Sequence, residues 1–175
     1  MSILKVSRMG HPVLRSRAKP VEKSDLRDAT VQKLIDDMIE TMHEYHGIGL
    51  AAPQVHESIR IFVAVLEDEP DATSEATVLV NPEITPVGSA TEEGWEGCLS
   101  IPDIRGMVPR HLEVDLRGLT RNGKPFERHL RGFPARVAQH ETDHLDGILF
   151  FDRMRSMETL TFLEEFSKYW TPDDD

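Results

Sequence analysis

The sequence predicts an α+β fold: short antiparallel strands packed around a central HExxH helix, with an amphipathic helix before them and another helix at the C-terminal end. Three observations carry this. Helical signals occupy three separate stretches, short β-branched or alternating runs cluster between the first two, and the two kinds of segment do not alternate as βαβ units would. At 175 residues the chain fits one domain, residues 1–175.

The first twenty residues carry Pro12 and Pro20 and read as an extended, turn-rich lead-in. Val31, Leu34, Ile35, Met38, Ile39, Met42 and Tyr45 then recur at three and four residues, one face of an amphipathic helix. Ser24 or Asp25 is expected to cap its start, and Gly47 to stop it. Arg60 to Leu66 is a short apolar, β-branched run and predicts a buried strand. Residues 67–77 read as an acidic surface loop, after which TVLVN predicts a strand broken at Asn81-Pro82. Leu112, Val114 and Leu116 alternate with polar residues, Asn122-Gly123 marks a hairpin, and Phe126, Arg128 and Leu130 continue the return strand. Pro134 suits the first turn of a helix that ends at Gly147. A last helix is expected from Ser156 to Trp170, with an acidic, fraying tail beyond it.

Composition narrows the function. Hydrophobic residues make up 39% and charged residues 29%, as in a globular protein and unlike a disordered one. Asp and Glu number 31 against 20 Lys and Arg, a net charge of −11, which argues against a nucleic-acid-binding surface. No apolar run is long enough for a membrane span, and MSILKVSRMG lacks the apolar core of a secretory signal. The one cysteine, Cys98, excludes an internal disulfide framework and suits a reducing compartment. A soluble, cytoplasmic protein without membrane or nucleic-acid partners is expected.

The strongest chemical signal is QHETDHL, residues 139–145. His140 and His144 are four apart, so both imidazoles leave one helical face and can bind one metal ion. Glu141 follows the first of them, where its carboxylate can take a proton from water that the metal makes acidic. Asp143 or Asp146 is a candidate to orient a ligand from behind. A catalytic site of this kind needs a third protein ligand. Cys98, between Gly97 and Leu99, would complete a two-His, one-thiolate set. Glu164 or Glu165 would complete the two-His, one-Glu set of a metallopeptidase. A third segment, GIGLAAPQV at 47–55, offers small residues for close backbone approach, with Gly47 and Gly49 permitting tight or positive-φ turns. Its Gln54 is an uncharged amide donor suited to a developing oxyanion.

GIGLAAPQ (47–54), EGCLS (96–100) and QHETDH (139–144) stand complete and in order, and together they closely resemble the three signatures of the peptide deformylase family. GHPVLRSRAKPV and IPDIRGMVPRH are also similar, so the resemblance spans roughly residues 8–155. It implies a hydrolase that removes the N-formyl group from the formyl-methionine of new polypeptides and releases formate. By matching position, Cys98, His140 and His144 are the metal ligands and Glu141 the general base and acid. Gln54 and the Leu99 N–H form the oxyanion site. Ile48, Gly49 and Gly97 meet the substrate backbone as a strand would, and Arg105 contacts the peptide. Trp95, Glu96, Phe133, Arg136 and Val137 match the methionine pocket, with an Arg136–Glu96 ion pair as the other reading of those two charges. The resemblance implies one divalent ion, Fe(II) in the cell, with Zn, Ni or Co able to substitute. It also implies nascent chains at the ribosome as partners. The chain ends FLEEFSKYWTPDDD, too acidic for direct ribosome docking, and Phe162, Phe166 and Trp170 read as core packing. Two other functions stay open on the residues alone: the metallopeptidase with a Glu ligand, and a metal-stabilised binder of peptide N-termini without turnover.

Overall fold

The computed structural model describes residues 2–70 and 74–171. Residues 71–73 of the acidic loop and residues 172–175 of the tail lie outside the described residues. In chain order the elements are α1 (Ala29–Glu44), β1 (Gly49–Ala51), β2 (Ile61–Ala64), β3 (Thr77–Pro86), β4 (Thr91–Cys98), β5 (Ile101–His111), β6 (Glu113–Leu119), β7 (Pro125–Arg131), α2 (Phe133–Leu145), β8 (Thr161–Phe162) and α3 (Leu163–Tyr169). Two antiparallel sheets result, one in the order β1-β2-β3-β6-β7 and one in the order β4-β5-β8.

The larger sheet is covered on both faces near its centre. Phe62, Leu79, Val114, Leu116 and Leu130 pack with Ala135, Ala138 and Leu145 of α2. Ile61, Val63 and Val80 turn the other way and pack with Ile35, Met38 and Met42 of α1. Every residue of β2 is therefore buried, which is why this segment is continuously apolar and does not alternate. A third cluster holds Cys98, Ile101 and Val108 of the smaller sheet against Leu14, Leu149 and Phe150.

Several local expectations are corrected. Asp28, not Ser24 or Asp25, caps α1, its carboxylate accepting the Thr30 N–H at 2.8 Å; Asp25 begins a separate short turn. The left-handed residue after α1 is His46 (φ 53), not Gly47. β3 does not break at Asn81-Pro82 but bulges there. Pro82 cannot donate to the ladder, and Asn81 takes φ 50, the register shifting between Val80 and Glu83. The Asn81 side chain accepts from the Val21 N–H at 2.9 Å and donates to the Val21 carbonyl at 2.8 Å, which ties the lead-in segment to the sheet.

The strands are also not uniformly short. The β4–β5 hairpin pairs an eight-residue strand with an eleven-residue one, and its Gly and Pro content (Gly94, Gly97, Pro102, Gly106, Pro109) hides it from a propensity reading. At the C-terminal end, Ser156 caps a short turn, not the helix, and α3 begins only at Leu163. No residue of α3 is buried, and Phe162 and Trp170 are 66% and 51% exposed, so their expected core packing does not occur. Phe166 instead rests edge-on against Trp95, with ring centroids 4.9 Å apart, and Trp170 lies tilted against the same ring at 5.3 Å.

Because Asn81 supplies both a donor and an acceptor at a left-handed position, Asn81→Ala should lower stability by about 1–3 kcal/mol. Urea unfolding reads this directly, and an unchanged midpoint would show that the strand ladder alone holds the bulge.

Candidate active site

Helix α2 starts at a Gly132-Phe133-Pro134 turn, with Pro near its first position where no N–H is needed, and is stopped at Asp146 before the left-handed Gly147. On its inward face His140 and His144 stand one turn apart, their Nε2 atoms 3.2 Å from each other. The end of β4 brings Cys98 to the same point, with Sγ 3.3 Å from His144 Nε2. The three ligand atoms lie within 4.8 Å of one another, and among the described residues they form a cluster able to hold a metal ion. Two imidazoles and a thiol suit a borderline-soft divalent ion. Burial works against a charge on His140, but hydrogen bonds to Cys98 and Glu96 outweigh it and raise its pKa, so a divalent ion binding at this ring would have to displace a proton. Burial and the neighbouring His140 hold His144 neutral.

Behind the cluster lies a buried ion network. Glu96, 6% exposed, accepts from Arg110 through both oxygens at 2.9 and 3.0 Å, from Arg136 at 2.9 Å, and pairs with His140 Nδ1 at 2.9 Å. Arg110, 5% exposed, also reaches Asp143, which Arg153 grips from the other side at 2.7 Å. These partners keep the Glu96 carboxylate well below the usual range despite the opposing effect of its burial. The residue orienting a histidine is thus Glu96. Asp143 acts one step further back through Arg110, and Asp146 instead pairs with Arg60 at 2.7 Å. Glu96 lies in the cleft wall, but its carboxylate is consumed by the network. Arg136 does pair with it, and Arg136 also donates to the Gly94, Val108 and Glu92 carbonyls.

Glu141 is buried against Gly49. A Cβ at Gly49 would fall 2.3 Å from the Glu141 carboxylate, so the glycine is required for this approach and not for a positive φ, which neither Gly47 nor Gly49 adopts. Burial pushes the Glu141 carboxyl up to about 7, and its Oε2 has no hydrogen-bond partner among the described residues. Gln54 is also buried. Its Oε1 accepts from the Ala51 N–H at 2.8 Å, which turns its Nε2 toward Cys98 Sγ (3.4 Å) and Ser100 Oγ (3.3 Å).

One cleft of about 690 Å³ joins these groups. Ile48, Gly49, Gln54 and Glu141 lie along it, with Gly97, Cys98 and Leu99 also in its lining. Trp95, Phe133, Arg136 and Val137 lie in the same cleft, as do His140 and Arg105. His144 is buried behind. Glu164 and Glu165 stand apart: both bind Lys168 on α3 and neither joins the cluster. Arg110 was not singled out by the sequence, because its partners are 14 and 33 residues away and no local spacing announces them. Lys5 and Arg8, also in the cleft wall, carried no signal beyond their charge.

The family model described as polypeptide deformylase matches residues 3–160. "Peptide deformylase 2" of Nostoc sp. is 43% identical, covering 97% of this chain and 96% of that protein. A "Peptide deformylase" of Chromohalobacter salexigens is 46% identical over 89% of this chain and 88% of its own length. Among solved structures, a Met-Ala-Ser-bound class I type b peptide deformylase from Acinetobacter baumannii matches with TM-score 0.81 and 42% identity, covering 88% of this chain and all of that one. The peptide deformylase of Thermotoga maritima matches with TM-score 0.80 and 40% identity over 89% of this chain and all of that one.

Removing the Glu96 carboxylate should free the His140 ring and leave Arg110 with Asp143 alone. Glu96→Ala should therefore lose about 10–100-fold in affinity for a divalent ion and about 3–5 kcal/mol of stability. Competition with a chromophoric chelator, alongside urea unfolding, measures both; unchanged ion affinity would remove Glu96 from the metal site.

Proposed function

The chain belongs to the peptide deformylase family, and from that premise we propose how its own residues remove the N-formyl group from formyl-methionyl peptides. The observation that carries the reading is the convergence of Cys98, His140 and His144 beside Glu141 and Gln54 in one cleft. The family is metal-dependent. In this proposal Cys98, His140 and His144 hold one divalent ion, Fe(II) in the cell, with Zn, Ni or Co able to substitute. The chemistry such an ion supplies when bound is Lewis acidity, which acidifies water and polarises a carbonyl oxygen.

Glu141 does the proton work. Its carboxylate takes the proton from the water that attacks the formyl carbon and delivers it to the amine nitrogen as the C–N bond breaks. The products are formate and a free α-amino terminus. The burial that lifts its pKa suits both halves of this task, since a carboxyl poised near neutrality both accepts and gives up a proton. Gln54 is held by Ala51 with its N–H₂ toward Cys98, so it donates to the oxygen on which negative charge develops; the Leu99 N–H is the second donor. Each such donor is worth about 10²–10³ in rate.

Substrate binding follows from the sheet edges. β1 and β4 are both edge strands and both line the cleft, so Ile48, Gly49 and Gly97 can pair with an extended peptide between them. Phe133, Val137 and Trp95 supply apolar surface for the methionine side chain. Arg136 closes that wall with its charge consumed by carbonyls and by Glu96, and Glu96 itself serves the metal site and not the side chain. Arg105 contacts the peptide further along. The proposed catalytic unit is a single domain, residues 1–175, acting in the cytoplasm on nascent chains. Among the described residues no helix is long and apolar enough to cross a membrane.

Formate release from formyl-Met-Ala-Ser by protein loaded anaerobically with Fe(II) or Ni(II) tests the reading. Glu141→Ala should keep the ion and lose at least about 10²–10⁴-fold in kcat. Cys98→Ser should weaken ion binding, and Glu164→Ala should leave it intact. Gly49→Ala, which displaces the Glu141 carboxylate, should cost about 10²-fold in turnover with the ion still bound. An ion-loaded, folded wild type that releases no formate would overturn the assignment.

A further inference from the structure

We propose that the outer part of the cleft selects peptides carrying a carboxylate on the residues after methionine, through Lys5, Arg8 and Arg105. This rests on the deformylase reading of the site. With the formyl group at Cys98, Glu141 and Gln54 and the methionine side chain toward Phe133 and Val137, the following residues run on along the same cleft, whose lining also includes Lys5, Arg8 and Arg105.

Among the described residues these three cations line the cleft without an ion-pair partner, whereas the other unpaired cations, Lys19, Lys23, Arg27, Lys124 and Arg128, lie outside it. The chain carries 31 acidic residues against 20 basic ones, and most of its arginines are ion-paired, among them Arg15, Arg60, Arg110, Arg121, Arg136 and Arg153. Lys5 and Arg8 make neither a side-chain hydrogen bond nor an ion pair with any described residue. Arg105 donates only to the Ile104 carbonyl beside it, at 3.1 Å. In so acidic a protein, three unpaired cations lining one cleft are charge left available for a ligand.

Their positions are set by the fold. The Ser7 N–H donates to the Gln54 carbonyl at 2.7 Å, and the Met9 N–H donates to the Ser100 carbonyl at 2.8 Å. Ser7 is buried, its hydroxyl donating to the Pro53 and Gln54 carbonyls at 3.1 Å, so the intervening Arg8 is carried on a segment pinned at both sides to the oxyanion wall. The Arg105 guanidinium lies across the β4 edge: a Cβ at Gly97 would fall 1.9 Å from its Nη1. A peptide pairing with Gly97 meets that guanidinium directly, and a carboxylate on the peptide gives it an ion-pair partner that it otherwise lacks. Asp103 is the opposing carboxylate in this part of the cleft; of the deeper acids, Glu96 is neutralised by Arg110 and Arg136, and Glu141 faces Gly49.

Each exposed pair is weak, so the effect is a graded preference and sensitive to salt. The test uses formyl-Met-Ala-X peptides with amidated C-termini, X being Glu, Gln or Lys, with the Ni(II)-loaded protein at low ionic strength. We expect kcat/KM to fall in the order Glu, Gln, Lys, with about tenfold between the ends, carried by KM and collapsing in 0.5 M salt. Equilibrium competition by the deformylated products should show the same order without turnover. In the triple variant Lys5→Gln, Arg8→Gln, Arg105→Gln the Glu-to-Lys ratio should approach one; as a ratio within one protein, it is unaffected by any general loss of activity. Equal rates for the three peptides, a preference for Lys, or a Glu preference that survives the triple variant would overturn the proposal while leaving the deformylase reading intact. Hydrolysis of none of them by folded, ion-loaded protein would overturn that reading, and the proposal with it.

Discussion

The architecture of the site depends on one buried ion pair, Glu96 with Arg110. Cys98 belongs to the smaller sheet and the two histidines to a helix packed on the larger one, so nothing local obliges them to meet. Glu96 on β4, Arg110 on β5, and Arg136, His140 and Asp143 on α2 are joined in one network that crosses this junction. A buried charge pair of this kind contributes little net stability, because desolvation offsets most of its attraction. Its strength lies in the cost of misalignment. Any packing that separated β4 from α2 would strand a charge in the interior.

The same logic of close fit applies on the opposite wall. Gly49 is glycine because the Glu141 carboxylate occupies the space a Cβ would need, and Gln54 faces inward because its carbonyl is already committed to Ala51. The Glu141 carboxylate, carried by α2, is therefore seated against β1 of the large sheet, and Gln54 is held by the turn after that strand. The metal-binding cluster is held from the small sheet and α2. The cleft is the seam between these two supports, and its open edge strands, β1 and β4, follow from that division.

The C-terminal end shows what periodicity leaves undecided. The apolar spacing toward Trp170 resembles a buried helical stripe, yet α3 is short and none of its residues is buried, Phe166 and the following Trp170 resting against Trp95. Apolar spacing states that a face exists; it does not state that a partner surface is present to cover it. The Asn81-Pro82 bulge is the converse case. A local break signal was overridden because β2 and β6 on either side, and Val21 through the Asn81 side chain, hold the strand on course.

The α+β class, the α1 stripe, the buried strand, the Asn122-Gly123 hairpin and the extent of the HExxH helix were legible because each depends on residues within a turn or two of one another. The candidate chemistry was legible for the same reason: His140, Glu141 and His144 occupy one helical turn, and Cys98 and Gln54 sit in short compositionally unusual segments. The β4–β5 pairing, the Glu96–Arg110 network, the carboxylate space at Gly49 and the unpaired cations at the cleft were decided only in three dimensions. Each is a relation between residues far apart in the chain, set by which sheet edges and helix faces come together. A sequence records the side chains available for such relations, but their partners depend on the packing that brings distant charges out of water together.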